Sequence, residues 1–485
     1  MEVIALDAKQ SLQREARRRM MLEDPMMKVI PKVAIPMIIS QMIDSIYNLA
    51  DTFFVSQLGM NATAAVAVND SLMNLLRSIS MGFAFGAASY ISRLMGAKED
   101  EKASSVATTT LTIGVVFSFL LGFICLFFKE PLVRLFGVTD SALQYSMDYA
   151  HWILLSAGFT TANLIMNQLL RSEGSTTYAM WGMCAGCFLN IILDPLFINV
   201  FGWGVAGAAG ATALSKMFSC CVLAIPYIKK TAMLELHPKY FRFKWDIMSE
   251  VAKMGIPAFL RMSLMSVGGI ISNHVAKGFG TAVLAAISVA NKLYRLIASA
   301  IMGFSQGFGP VAGFCWGAKK YDRVKDAYLT TVKIGSVCAI ILGAAMFLSA
   351  DALIGLFNTE NDPTVLAIAS FKVRTLCVVL VPHIIVMVSS NMFQSLGRPI
   401  ENLILSMSRQ LLFLIPIVLI LPKALESMFG LGAYGLACAQ ALSDLLSFLF
   451  LALPMMLWLF KKLKPLKDGD DSPFESKHSH AGHEE

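Results

Sequence analysis

Long apolar runs recur along the whole of this chain, and they limit the folds that it can adopt. Twelve of them reach or exceed the ~20 residues that an α-helix needs to cross a lipid bilayer. Only 15% of the 485 residues are charged and 56% are hydrophobic, whereas soluble domains are roughly 25% charged. The sequence therefore predicts an all-α, polytopic membrane protein with twelve transmembrane helices.

The position of the basic residues predicts the topology. With the amino end in the cytoplasm, the outer loops hold only Lys129, Arg134, Lys277 and Lys423. The positive-inside rule then places both termini in the cytoplasm. We therefore expect a multi-pass protein of the cell (inner or plasma) membrane. Its partner is the lipid bilayer, and the net charge of +7 does not indicate binding of nucleic acid.

The chain also repeats itself. With an offset of 221 residues, 34–136 aligns without a gap on 255–357, and a Met-Gly-Phe triplet occurs at both 81–83 and 302–304. Each half holds six spans, so both copies enter the membrane from the same side. The sequence therefore predicts two pseudo-symmetric six-helix bundles, an architecture in which transporters bind their cargo between halves that rock.

This repeat divides the chain into five segments. We predict an amino-terminal cytoplasmic tail (1–29), an amino-terminal six-helix lobe (30–228), a cytoplasmic linker (229–249), a carboxy-terminal six-helix lobe (250–460) and a cytoplasmic tail (461–485).

A polar motif, NIILDPLFI at 190–198, interrupts the fifth apolar run. Asn190 and Asp194 are four residues apart, so they share one face of a helix. Pro195 lacks the N–H that would bind the Ile191 carbonyl. A carboxylate in hydrocarbon costs at least ~2.5 kcal/mol, and such residues commonly handle ions or protons.

Other oxygen-bearing side chains are predicted at the depth of Asp194. Counting ~1.5 Å per residue from the outer ends of their spans, Asp51, Asp70 and Thr212 all lie roughly 10 Å below the outer surface. Such oxygens suit a dehydrated Na⁺, and neighbouring carboxylates can also share a proton. The alternative is that neighbouring helices satisfy these polar groups. Asp44, seven residues before Asp51, is a candidate for lining a cavity one level deeper.

Several motifs together resemble the multidrug and toxic compound extrusion (MATE) family. They are YNLADTFFVSQLG at 47–59, a Gly-Ala-Lys loop at 96–98 that recurs at 317–319, RSEGST at 171–176 and NIILDPLF at 190–197. The resemblance implies two V-shaped halves around a central cavity. It also implies export of small organic, often cationic compounds (drugs, dyes or toxic metabolites) in exchange for Na⁺ or H⁺.

Within that family the chain is similar to the DinF-like branch, whose cation site lies in the amino-terminal half. The resemblance assigns cation or proton coupling to Asp51, Asn190, Asp194 and Thr212, with Na⁺ a candidate ligand of the first three. A fourth-span asparagine belongs to the site in some members, and both Asn163 and Asn167 qualify. The other branch has carboxylates in its seventh and tenth spans, where this chain has only Glu250, at a span end.

Cationic residues inside the predicted spans leave an alternative open. They are Arg77, Lys216, Arg261, Lys292, Arg295 and Arg409. Several lie in the second half, where they disfavour a purely cationic substrate and favour a flippase for lipid-linked saccharides of related architecture. An ion channel or a structural scaffold is disfavoured, because the candidate acids lie in one half only.

Enzymatic activity is not expected, because no phosphate-binding glycine loop, paired histidine ligands or nucleophile motif is evident. We expect a monomer, no catalytic residue, and no cofactor other than the coupling ion. Cys184 and Cys187 have metal-ligand spacing, but they lack a second pair, so we expect them to pack between helices. We interpret His478, His480 and His483 as part of a solvated tail.

Overall fold

The protein is described here by a computed structural model, which covers residues 12, 14–355, 357 and 362–471, apart from a few side chains between 49 and 64. The described residues form helices and loops, with no β-strand among them. The tail histidines His478, His480 and His483, and the first eleven residues of the chain, lie outside this description.

Six long helices form the amino-terminal lobe. They are α1 (Met26–Ser56), α2 (Met60–Gly96), α3 (Asp100–Phe127), α4 (Leu143–Leu155 and Ala157–Ser172), α5 (Thr176–Pro195) and α6 (Gly204–Ile228). A π-helical turn, Leu196–Val200, extends α5, and a short helix, Lys129–Leu135, joins α3 to α4.

The carboxy-terminal lobe repeats this order. Its helices are α7 (Trp245–Gly278), α8 (Thr281–Gly317), α9 (Tyr321–Gly355), α10 (Pro363–Val378 and Leu380–Ser395), α11 (Pro399–Met407 and Ile415–Phe429) and α12 (Gly432–Ser447 and Leu453–Leu463). π-Helical turns, Ser408–Leu414 and Phe448–Ala452, link the two parts of α11 and α12.

The prediction of twelve spans agrees with these helices. Nine helical stretches of the described chain are long and apolar enough to cross a membrane, and the two bent pairs, α4 and α10, raise the number to eleven. Those pairs bend by 51° and 55° at equivalent places in the two lobes. The twelfth, α2, is 37 residues long, and its interior holds Asp70 and Arg77, which lower its hydropathy.

The two lobes pack through matching glycine contacts. On α2, Gly82 and Gly86 lie so close to α7 that a Cβ on Gly86 would collide with the Val251 carbonyl. On α8, Gly303 and Gly307 lie equally close to the α1 backbone. The glycines repeated at an offset of 221 residues therefore occupy equivalent places in a pseudo-symmetric interface, where only small residues allow the helices to approach.

The repeated Gly-Ala-Lys loops end α2 and α8. The left-handed backbone falls on their lysines, where φ is 64° at Lys98 and 54° at Lys319. Gly96 and Gly317 are required for another reason: each approaches the backbone of the opposite lobe, at Phe314 and Arg93 respectively.

An amino-terminal helical segment, residues 14–24, connects the lobes where both described termini lie, which we call the terminal face. Arg18 Nη2 donates to Asp100 Oδ1 of the amino-terminal lobe at 2.6 Å. Arg323 Nη2 of the carboxy-terminal lobe donates to the carbonyl oxygens of Met21 and Asp24 at 3.1 and 2.8 Å. Met21 is completely buried, so this part of the predicted tail is folded against the core.

The segment between the lobes is also folded. The backbone N–H groups of Met233 and Leu234 both donate to Glu173 Oε2 at 2.8 Å, and Arg17 lies 3.7 Å from Glu173 Oε1. Glu173 follows α4 and is fully buried. Burial raises the pKa of its carboxyl group, although Arg17, Ser175 and the two backbone donors act in the opposite direction.

At the opposite end, the distal face, the lobes have separate cores. One apolar cluster joins residues of both lobes near the terminal face, including Ala34, Ala84 and Phe314. A second cluster contains residues of the amino-terminal lobe only, among them Val55 and Ile198. The lobes are therefore joined at the terminal face and separate toward the distal face.

Candidate functional site

Asp194 lies in the last turn of α5, two residues before the π-helical turn begins at Leu196. Its exposed fraction is 0%. The Asn190 side chain interacts with its carboxylate, but neither carboxylate oxygen has a hydrogen-bond partner at normal distance among the described residues. The hydrogen bonding changes from α-helical to π-helical after Pro195. In the π-helical turn, the Phe201 N–H donates to the Leu196 carbonyl, five residues earlier, at 2.9 Å. π-Helical turns inside helices frequently occur at functional sites.

Asn190 and Thr212 line a small cavity next to this carboxylate. Asn190 Nδ2 donates to Thr212 Oγ1 at 3.4 Å, while Asn190 Oδ1 is buried without a partner among the described residues. The cavity lies between α1, α4, α5 and α6 and has a volume of about 10 Å³, roughly the least that holds one water molecule. Thr212 of α6 therefore lies beside Asn190 of α5.

Asp51 belongs to the same neighbourhood. Its carboxylate interacts electrostatically with those of Asp194 and Asp70, and Asp51 Oδ1 is buried without a hydrogen-bond partner in the described structure. Tyr47, one turn earlier on α1, lines the cavity. Tyr47 was not predicted from the sequence, although its position four residues before Asp51 places it on the same helical face.

Asp70 and Asp44 lie at the edges of this group. Asp70 is exposed on α2, and its carboxylate interacts electrostatically with Arg295 and Arg77. Asp44 is half-buried on α1, where Asn48 Nδ2 donates to its backbone carbonyl at 2.5 Å and to its Oδ2 at 3.4 Å. Each of these two carboxylates therefore already has polar or charged neighbours.

The structure distinguishes between the two asparagines of α4. Asn163 lines the cavity, and its Nδ2 donates to Ser219 Oγ of α6 at 2.6 Å. Asn167 Nδ2 donates to the Ala179 carbonyl at 2.9 Å, where it joins α4 to the start of α5. Asn163 is thus the asparagine that lies beside Asn190 and Thr212.

A lysine also lines the cavity. Lys216 follows Thr212 by one turn of α6, and its Nζ lies 5.7 Å from the centre of the Tyr47 ring. No ion pair joins Lys216 to a carboxylate within the described residues. Lys216 therefore adds a positive charge to the wall of the cavity that Asn190 and Thr212 line.

A buried polar cluster in the carboxy-terminal lobe was not predicted. Asp444 of α12 is 1% exposed; its Oδ1 accepts from Arg409 Nε of α11, and its Oδ2 lies 3.2 Å from His383 Nδ1 of α10. Gln440 Nε2 also donates to Asp444 Oδ1, at 3.3 Å. The negative charge of Asp444 is therefore balanced by the positive charge of Arg409.

The repeat contained a signal for this cluster. At the offset of 228 residues that relates α6 to α12, Ser443 corresponds to Ser215 and Asp444 corresponds to Lys216. The two lobes therefore carry opposite charges at equivalent positions. Among the described residues, Asp444 forms an ion pair with Arg409, whereas Asp51 and Asp194 of the amino-terminal lobe form none.

The sequence matches a known protein family twice. The MatE family profile matches residues 36–196 and again residues 257–420, so both lobes correspond to the same unit. Together these matches cover more than half of the chain. The chain belongs to the MatE family, and its lobes are two copies of the family's repeat.

Relatives and solved structures agree with this assignment. The chain is 28% identical over 369 residues to the multidrug export protein MepA of Staphylococcus saprophyticus, covering 75% of this chain and 80% of the relative. It is 26% identical over 434 residues to MepA of Staphylococcus aureus (strain MSSA476), covering 89% and 94%. A structure described as the outward-facing conformation of a multidrug resistance MATE family transporter is similar with a TM-score of 0.86 and 27% identity, covering 92% and 98%.

Proposed function

We propose that this protein is a secondary active multidrug exporter that exchanges small organic compounds for Na⁺ or H⁺ at a site in its amino-terminal lobe. The observation that carries the proposal is the pair of carboxylates, Asp51 and Asp194, which interact electrostatically and have oxygens without partners in the described structure. A buried carboxylate without a partner is costly. A bound cation or proton offsets that cost.

The rest of the site provides neutral oxygen ligands. Asn190 Oδ1 is buried and unpartnered, and Thr212 Oγ1 lies 3.4 Å from Asn190 Nδ2. Two carboxylates, an amide oxygen and a hydroxyl are a set that suits Na⁺. With a proton instead, one carboxylic acid donates to the other carboxylate. Both ions thus remain candidates for coupling.

Coupling requires the ion to favour one access state. The π-helical turn after Pro195 is the element that an ion on Asp194 would shift, because the turn begins only two residues after Asp194. To drive exchange, the free energy of ion binding must differ between the two access states by a few kcal/mol. Charge neutralisation at Asp194 is therefore the proposed trigger for rocking of the lobes.

Contacts between the lobes indicate what must break. Arg171 Nη1 of α4 donates to Gln306 Oε1 of α8 at 2.5 Å, and Ser89 Oγ of α2 donates to the Gln394 carbonyl of α10. Both lie near the terminal face. If that face is cytoplasmic, as the distribution of basic residues predicts, these contacts close the space between the lobes on the cytoplasmic side.

The test is transport of a fluorescent organic cation in proteoliposomes, with Na⁺ and pH gradients imposed separately. We expect export with one gradient, and loss of export when Asp51→Asn and Asp194→Asn are combined. Asp351→Asn, which alters an exposed ion pair with Arg374, is the matched control. If the double variant exported as well as the wild type, the site would be wrong; if neither gradient drove dye movement, the lipid-linked saccharide flippase would become the better candidate.

A further inference from the structure

A pocket in the carboxy-terminal lobe carries two guanidinium groups and faces the boundary between the lobes. We propose that it binds the carboxylate or other acidic group of a small organic anion with an apolar body. This inference rests on the proposed export function and names an additional substrate class for it. We call this site the arginine pocket; it is lined by Arg261, Met265, Val386, Met387, Ser390, Leu405, Ser406, Arg409 and Gln410.

The arginine pocket has two positively charged guanidinium groups but only one carboxylate paired with them among the described residues. Arg409 is paired with Asp444 through Nε, whereas Arg261 makes no ion pair with any carboxylate in the described part of the chain. The two guanidinium groups are close enough to act on each other electrostatically. Because both lie inside membrane-spanning helices, where unpaired charge is costly, one further negative group is needed here.

Arg261 is held in place without being neutralised. Its guanidinium carbon lies 5.4 Å from the centre of the Phe85 ring, which belongs to α2 of the opposite lobe. A cation–π contact of this kind orients a guanidinium but leaves its N–H donors available. Phe85 also lines a polar pocket between the lobes, together with Arg171 and Gln306, so the arginine pocket adjoins the interlobe space.

Gln410 provides a second polar group. Its side chain is 6% exposed, and its Oε1 has no hydrogen-bond partner among the described residues. Gly268 of α7 leaves room for it, since a Cβ there would lie 2.8 Å from that oxygen. Rotation of the amide by half a turn presents its NH₂ group instead, a donor that an anionic ligand requires.

Size and wall chemistry define the ligand. The cavity volume is about 30 Å³, roughly the space of two water molecules, so it holds an acidic group but not a whole drug-sized compound. Met265, Met387 and Leu405 provide apolar walls beside the charges. The ligand is therefore an organic acid whose apolar body remains in the interlobe space.

The geometry favours a carboxylate or sulfonate over an inorganic ion. Guanidinium groups recognise planar or tetrahedral oxyanions by paired N–H donors. An apolar body adds the burial of hydrocarbon against methionine side chains, which adapt to many shapes. This pocket would let the same cleft bind a cation in one lobe and an acid in the other.

The test is equilibrium binding of pyrenebutyrate to purified protein, followed by fluorescence anisotropy, with pyrenebutyrate methyl ester as the uncharged matched probe. We expect the acid to bind more tightly than the ester, and Arg261→Met to weaken acid binding by about tenfold or more without changing ester binding. Arg261→Lys should weaken it less, because charge is kept but the paired donors are lost. Arg374→Met, on an exposed ion pair, is the control.

Three outcomes would overturn the proposal. Equal binding of acid and ester to the wild type is the first, and unchanged acid binding by Arg261→Met is the second. The third is a competition measurement with the protein in nanodiscs. If phosphatidylglycerol displaces pyrenebutyrate and phosphatidylcholine does not, the pocket binds a lipid headgroup and not an organic acid. No ion gradient is used, so failure of coupled cation export leaves this result unaffected.

Discussion

The two lobes each bury an aspartate beside a π-helical turn, but they treat it differently. Asp194 in the amino-terminal lobe has no hydrogen-bond partner in the described structure and interacts electrostatically with a second acid, Asp51. Asp444 in the carboxy-terminal lobe is bound by Arg409 and Gln440 and lies beside His383. One lobe therefore has a buried carboxylate without an ion-pair partner in the described structure, where we propose that a cation or proton binds. The other lobe pairs its buried acid with Arg409.

This difference indicates how one repeated unit came to hold two kinds of site. The packing positions are alike, as the glycines at the interface of α2 with α7 and of α8 with α1 demonstrate. The charges are opposite, with Lys216 and Asp444 at equivalent places. Pseudo-symmetry thus preserves the packing contacts between the lobes, while the polar residues of the two lobes differ.

The largest expected effect is on stability in the carboxy-terminal lobe. Asp444→Asn removes the charge that compensates Arg409 and should lower the free energy of unfolding by about 3–5 kcal/mol. Thermal unfolding of detergent-purified protein measures it. Asp351→Asn, at an exposed ion pair, should cost no more than about 1 kcal/mol; equal losses in both variants would remove the contrast between buried and exposed aspartates.

The second effect separates function from stability in the amino-terminal lobe. Asp194→Asn removes a buried carboxylate that has no partner, so we expect a melting temperature no lower than that of the wild type. Gradient-driven export should nevertheless fall by about tenfold or more, as expected for loss of a coupling free energy of 1–3 kcal/mol. A variant that was both less stable and fully active would reverse this assignment.

The third effect concerns the lysine beside the open site. Lys216→Met removes a positive charge from the cavity wall and should strengthen binding of the coupling cation by about threefold to tenfold, because like charges repel even in partly screened surroundings. Competition by Na⁺ and a pH titration, both on purified protein, measure the affinity. Weaker cation binding would instead make Lys216 part of the machinery that positions the acids.

The smallest effect lies outside the membrane-spanning helices. The pKa of Glu173 is raised above its ordinary value of 4.5 by burial. The folded protein therefore binds more protons than the unfolded chain between 4.5 and the higher folded value, and the free energy of unfolding rises as pH falls through that window. Glu173→Gln should flatten this slope, which unfolding at several pH values would reveal; an unchanged slope would assign the dependence to other groups.

The features that follow from helical periodicity were predictable from the sequence. Asn190 and Asp194 share a face because they are four residues apart, and the repeat predicted two six-helix lobes correctly. The cluster of Asp444, Arg409 and His383 was not predicted, because it depends on how three separate spans pack. The left-handed conformation of Lys98 was missed for a related reason: Gly96 is required by a contact with the other lobe rather than by the turn.

The most direct test of the account is the response of the melting temperature to the coupling ion. Purified wild-type protein should melt at a higher temperature when Na⁺ replaces choline at constant ionic strength, or when the pH is lowered, because an ion that binds the folded state stabilises it. Asp351→Asn should respond in the same way. The combined Asp51→Asn and Asp194→Asn variant should lose the response to Na⁺ and keep only the part of the pH response that Glu173 provides. A double variant that kept the full wild-type response would contradict the claim that the amino-terminal carboxylates receive the ion.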